Sequence, residues 1–171
     1  MKLHKYVLLT LILLGQTGVQ TRTGGMEQRI LEAHNSERQK LGVAPLSWDD
    51  GLAREAQTWA DHLSSSGQFE HSPNEAGKPL QGENLWGGTP SSFTPEQMVG
   101  LWISEKRNFT PGVFPHNSVT GNPADVSHYT QIVWQTTDSV GCALSALGRE
   151  EILVCRYAQP GNVVGQRALP R

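Results

Sequence analysis

At 171 residues, 37% hydrophobic and 18% charged, the chain has the composition of one globular domain, without a low-complexity tract or an internal repeat. A formal net charge of -2 and the lack of any Lys/Arg run give no support for nucleic acid or an anionic membrane surface as partner. Two cysteines are too few for a disulfide-rich scaffold and carry no Cys-x-x-Cys motif.

Lys2 and Lys5 precede an apolar run over residues 6–14, too short to cross a bilayer but of the length of a signal-peptide core. This predicts a signal peptide over residues 1–25, with cleavage among the small and polar residues between Gly15 and Gly25. A single domain follows over residues 26–171, exported to the extracellular space or a periplasm, with no transmembrane span and, absent any cysteine after the run, no lipid anchor. About 145 residues suffice to bury roughly two thirds of the unfolded surface in one core.

Ile30, Ala33, His34 and Leu41 fall at helical spacing over residues 26–41, and Gly42 with Pro45 ends the run. A second helix is predicted to open at Ser47, with Asp50 as capping-box partner and an apolar stripe of Leu52, Ala53, Ala56, Trp59, Ala60 and Leu63. Ser64, Ser65, Ser66 and Gly67 stop it. Residues 69–92, rich in Gly, Pro and Asn, read as loop with at most one short extended piece. A third helix begins at Thr94, with Pro95 in its first turn and Gln97 completing the box, and continues through Met98, Leu101, Trp102 and Glu105 to dissolve near Pro111. After a second loop, a short helical or extended stretch follows His128. Residues 140–147 and 151–157 read as two strands joined by a two-residue turn at Gly148-Arg149. That register sets Cys142 opposite Cys155, and an exported pair so placed is expected to form a disulfide. Helices first and an antiparallel sheet last give an α+β class, a sheet covered by helices.

Four polar residues stand out. Glu105 continues an inward stripe, so its carboxylate has to meet a cation, a metal or a network of donors. Glu83 lies in Gly82-Glu83-Asn84, where glycine permits a turn and Asn can bond its own backbone, holding one carboxylate in a fixed direction. His71 and His128 complete two imidazoles and two carboxylates, a set able to hold a divalent ion. His34 is expected to tie the first helix to a loop by hydrogen bonds; His62 and His116 have no evident partner. No His-Glu-x-x-His helix, nucleophile elbow or phosphate-cradling loop occurs.

In this order the chain resembles the CAP superfamily of cysteine-rich secretory, antigen-five and pathogenesis-related proteins. The matching elements are His34-Asn35 with Arg38; Leu46-Ser47-Trp48; His71-Ser72; Gly82-Glu83-Asn84-Leu85; Trp102 and Glu105; the run His128-Tyr129-Thr130-Gln131-Ile132-Val133-Trp134; Gly141-Cys142; and Cys155-Arg156-Tyr157 before Pro160-Gly161-Asn162. The resemblance implies a three-layer α-β-α sandwich around a central antiparallel sheet. It also implies a binding tetrad of His71, Glu83, Glu105 and His128, with His71 and His128 as metal ligands and zinc as the divalent cation. A lipid or sterol-like ligand or an extracellular partner is expected, with Trp86, Trp102 and Trp134 weighed as cleft lining or core. A monomer is expected, and the lack of further disulfides looks like a bacterial member. The competing reading is a metal-dependent hydrolase or protease in which Glu83 and Glu105 supply acid-base chemistry.

Overall fold

The computed structural model describes residues 23–74 and 76–170. Nearly all of the expected signal peptide lies outside them. Among the described residues no helix is long and apolar enough to cross a membrane.

Among the described residues ten elements follow one another: α1 (Met26–Lys40), β1 (Ser47–Trp48), α2 (Asp50–Ser66), β2 (Gly82–Gly88), α3 (Pro95–Ser104), two 3-10 turns (Glu105–Asn108 and Pro123–Asp125), α4 (Ser127–Ile132), β3 (Ser139–Ser145) and β4 (Glu151–Ala158). The sheet runs β1-β3-β4-β2. β3, β4 and β2 are antiparallel, and β1 adds a two-residue parallel pairing at the edge of β3, so the sheet is mixed at that edge.

Strand alternation divides the core into two layers. Val140, Cys142, Leu153, Cys155, Tyr157 and Trp86 meet α1, α3 and α4, while Ala143, Ile152, Val154 and Leu85 meet Ala56, Ala60 and Leu63 of α2. This is the three-layer sandwich. Trp86, Trp102 and Trp134 are all buried in the larger cluster and belong to the core. Gly141 explains how α2 lies so close to the sheet. A Cβ there would stand 2.3 Å from Ala53 N and 2.4 Å from Asp49 O, so only glycine lets the first turn of the helix touch the strand.

The third helix begins as expected, with a Thr94–Gln97 capping box and Pro95 in the first turn. The second begins later than predicted. Asp49, not Ser47, is its cap, accepting from Gly51 N and Leu52 N. Ser47 and Trp48 are held by the sheet instead, with Ser47 N donating to Asp138 O and Asp49 N to Val140 O. The hairpin keeps its predicted register, Cys142 opposite Cys155, and the disulfide joins them. Its turn is longer than two residues, because pairing of β3 with β4 stops at Ser145–Ile152. Ser64 Oγ at the end of α2 takes Leu147 N and Gly148 N at 2.7 and 3.0 Å, drawing the loop onto the helix.

The long loop after α2 ends in a seven-residue edge strand, β2, and here the reading of Gly82-Glu83-Asn84 changes. Gly82 is no turn; a Cβ on it would strike the buried Gln131 amide, whose oxygen is already bonded to Gly161 N. Asn84 reaches across the fold rather than to its own backbone, donating to His128 O and to the Tyr157 hydroxyl.

Candidate functional site

A buried polar frame sets the site. Arg38, fully buried, donates to the carbonyls of Ala44, Ile132, Trp134 and Thr137, which fixes the chain on both sides of the end of α4. Burial draws its pKa down to about 10, which leaves it charged at neutral pH. His34 donates from Nδ1 to Ile30 O, as a neutral ring whose Nε2 accepts from the Tyr157 hydroxyl at 2.8 Å. Burial lowers its pKa to about 4 and pushes that of Tyr157 far above its usual value. The expected anchoring role of His34 is therefore met by a strand, β4, rather than a loop. Through Tyr157 and Asn84 the chain of bonds ends on the main chain of His128.

The four predicted site residues assemble as two pairs. In the first, His71 Nδ1 is 2.7 Å from Glu83 Oε1, which also accepts from Ser72 N at 3.0 Å. His71 stands on a loop with its side chain 64% exposed; Glu83, on β2, is 8% exposed. Hydrogen bonding to Glu83 raises the His71 pKa against a smaller opposing effect of burial. Burial alone would raise the Glu83 pKa, but the bonds from His71 and Ser72 and the charge of Arg156 outweigh it and hold the carboxyl below its ordinary value.

In the second pair, His128 Nδ1 is 2.6 Å from Glu105 Oε1, while Oε2 takes the main-chain N–H groups of His128 and Tyr129 at 3.0 and 3.1 Å. Glu105 lies just past the end of α3, in the 3-10 turn, not on the inward stripe; Leu101, expected beside it, is exposed. The donor network demanded by its carboxylate is the first turn of α4. The His128 ring lies nearly parallel to Trp102, 13° between planes and 6.1 Å between centroids, and Trp102 is itself held by Nε1 donating to Leu85 O.

Glu83 and Asn84 are consecutive strand residues pointing to opposite faces, so Glu83 meets His71 on one face while Asn84 holds the His128 carbonyl from the other. Among the described residues, no hydrogen bond or ion pair joins one pair to the other, and no group of three or more His, Cys, Asp or Glu side chains is gathered closely enough to hold a metal. What fits a divalent cation is narrower than the four-residue set. Each imidazole has Nδ1 engaged by a carboxylate, the support that metal-binding histidines usually have, and among the described residues Nε2 has no hydrogen bond. Glu105 engages both oxygens with His128 and Tyr129, whereas Glu83 engages Oε1 with His71 and Ser72 and has Oε2 3.6 Å from Arg156 Nη2.

Sequence reasoning passed over Arg156, Gln81, Glu55 and Lys78, which line a hollow with His71 and Glu83. The signal was present: Arg156 interrupts the apolar run that follows Glu151 in β4, directly opposite Glu83 in the β2–β4 register. His62, which had no evident partner in the sequence, stacks on Trp59 at 4.7 Å.

The fold agrees with the comparisons. The family model described as the cysteine-rich secretory protein family, CAP, matches residues 31–157. Pathogenesis-related protein 1C of Nicotiana tabacum is 37% identical over 142 residues, covering 82% of this chain and 79% of the relative. Pathogenesis-related protein 1 of Arabidopsis thaliana is 32% identical over 171 residues, covering 98% and 99%. Among solved structures, NaASP2 crystallised with Zn2+ superposes with a TM-score of 0.70 at 24% identity, covering 91% of this chain and 89% of that one, a likeness of fold. The chain belongs to the CAP family.

Proposed function

We propose that this chain is an exported binding protein in which His71 and His128 take a divalent cation, zinc by the chemistry of the donors, beside a cleft for a small ligand or extracellular partner. The observation that carries the reading is the matched pair of imidazoles, each with Nδ1 fixed by a carboxylate and with Nε2 unpartnered among the described residues. Bound there, zinc would supply a Lewis-acidic centre with positions left for ligand oxygen or nitrogen. The residues themselves bind and orient: Glu83 and Glu105 select the ring orientation, and the Arg38 and Asn84 contacts hold the main chain around His128.

Binding is favoured over hydrolysis because Glu105 has both oxygens bonded and the buried Glu83 is paired with charged or donor groups at each oxygen. Glu105 spends both oxygens on α4, and Glu83 faces His71 and Arg156. The charged lining of the His71 cleft suits a polar occupant better than a sterol. Export is supported by the leader-like N-terminus and by membership of a family described as secretory.

Calorimetry of metal-stripped protein with zinc tests this reading. One-to-one binding, lost in both His71→Ala and His128→Ala, is expected. Affinity is expected to weaken as pH falls, because the proton competes for imidazole, beginning above the ordinary 6.5 since the His71 pKa is raised. Equal affinity at about pH 5 and about pH 7.5 would exclude histidine coordination.

A further inference from the structure

His128 and Gln131 lie three residues apart on α4, on one side of the helix, and both meet the start of β2. Gly82 and Asn84 share the strand face that looks toward α4, with Glu83 between them on the other face. Asn84 bonds the His128 carbonyl, and the buried Gln131 side chain fills the space beside Gly82. That contact is made against bare backbone. A Cβ on Gly82 would stand 2.6 Å from Gln131 Cδ and 3.1 Å from its Nε2, so the strand comes this close only because residue 82 is glycine. Gly161, just past β4, closes on the same amide: a Cβ there would lie 2.9 Å from Oε1 and 3.0 Å from Cδ. The amide is also held at both ends, Oε1 accepting from Gly161 N at 2.8 Å and Nε2 donating to Thr137 Oγ1 at 3.3 Å. Pairing with β4 and the bond from Trp102 Nε1 to Leu85 O keep β2 on this layer, and Gln131 limits how near its first residue can come.

We propose that Gln131 is a positioning residue for the cation site: the length of its side chain sets how far Glu83, and with it His71, stands from His128. The inference rests on the reading that His71 and His128 share a divalent cation. His128 belongs to α4 itself, while Glu83 follows Gly82 directly and its Oε1 holds His71 Nδ1. The gap between α4 and Gly82 is therefore passed on to the second imidazole. Coordination tolerates errors of about 0.2 Å in ligand distance, so a spacer that is one methylene too short or too long is felt at the metal.

Zinc calorimetry on the full chain separates length from hydrogen bonding. Gln131→Asn shortens the spacer by one methylene and is expected to weaken zinc binding about tenfold. Gly82→Ala adds a methyl from the strand side and is expected to do the same. Gln131→Met keeps the reach and loses both hydrogen bonds; it is expected to unfold at lower denaturant and yet bind zinc within about twofold of the wild type. The double variant Gly82→Ala/Gln131→Asn returns on one side what it removes on the other, and is expected to bind zinc more tightly than either single variant. Additive losses in that pair, or Gln131→Met binding as weakly as Gln131→Asn, would overturn the proposal. Circular dichroism confines the comparison to variants that fold, and without Gly82→Ala the contrast between Gln131→Met and Gln131→Asn settles it. Zinc bound by the wild type and unaffected by Gln131→Asn sinks this inference alone. If the wild type binds no zinc, the shared-cation reading falls, and metal-free crystal structures take over: β2 nearer α4 in Gln131→Asn sustains the spacer, and an unchanged gap overturns it.

Discussion

The two His–Glu pairs have the same chemistry and opposite mechanics. His128 is clamped: its ring meets Glu105 and lies along Trp102, its N–H is bound by the same carboxylate, and its carbonyl is held by Asn84. His71 is tethered: it sits on an exposed loop, and its fixed contact is Glu83, a carboxylate buried on the strand. A helix start provides a carboxylate with main-chain donors as well as an imidazole, so Glu105 is bound into the fold whether or not a ligand arrives. On the loop side the carboxylate is the anchored partner and the imidazole follows it.

The difference predicts unequal costs. Glu105→Ala strips three donors of their acceptor at the junction of α3 and α4, and a loss of about 3 kcal/mol by chemical denaturation is expected. Glu83→Ala leaves Arg156 without its facing charge and is expected to cost about 2 kcal/mol. His71→Ala, on an exposed side chain, is expected to cost less than about 1 kcal/mol. Equal losses for Glu105→Ala and His71→Ala would break the comparison.

Asn84→Ala sharpens it, since Asn84 serves only the clamped side. Removing its bonds to His128 O and the Tyr157 hydroxyl is expected to cost about 1 kcal/mol and to shift the NMR resonances of His128 while leaving those of His71 in place. Movement of both rings would mean the pairs are coupled through β2.

The smallest effect is in pH dependence. The raised pKa of His71 means that folding favours its protonated form; that stabilisation is complete below the unfolded value of about 6.5 and fades as pH rises through the higher folded value. The lowered pKa of Glu83 acts in the other direction: its contribution is present above the unfolded value and is lost as pH falls through the lower folded one. The charged pair is therefore intact between the two folded values. An NMR titration of His71 is expected to give a midpoint above 6.5, returning toward it in Glu83→Gln. A wild-type midpoint at or below 6.5 would remove the ion pair from the account.

Much of this was legible in the chain. Local rules placed the Thr94 cap, the first helix and the hairpin register that joins Cys142 to Cys155, because capping boxes, helical spacing and strand period are properties of neighbouring residues. All four site residues were named from their local settings and from the family resemblance. The sequence did not reveal how they are grouped. A carboxylate's partner is chosen by elements far apart in the chain, so the pairing of His71 with Glu83 and of His128 with Glu105 came from the fold alone.

The sequence by itself determined the class of fold and the disulfide, since both are written in spacing, turn residues and residue type. Only the tertiary structure decided that Asn84 works for His128, that Gly141 exists to admit α2, and that Arg156 pairs with Glu83 across neighbouring strands. The physical reason is common to the three. Each depends on the approach of one packed layer or strand to another, a distance of a few ångströms that no local pattern encodes.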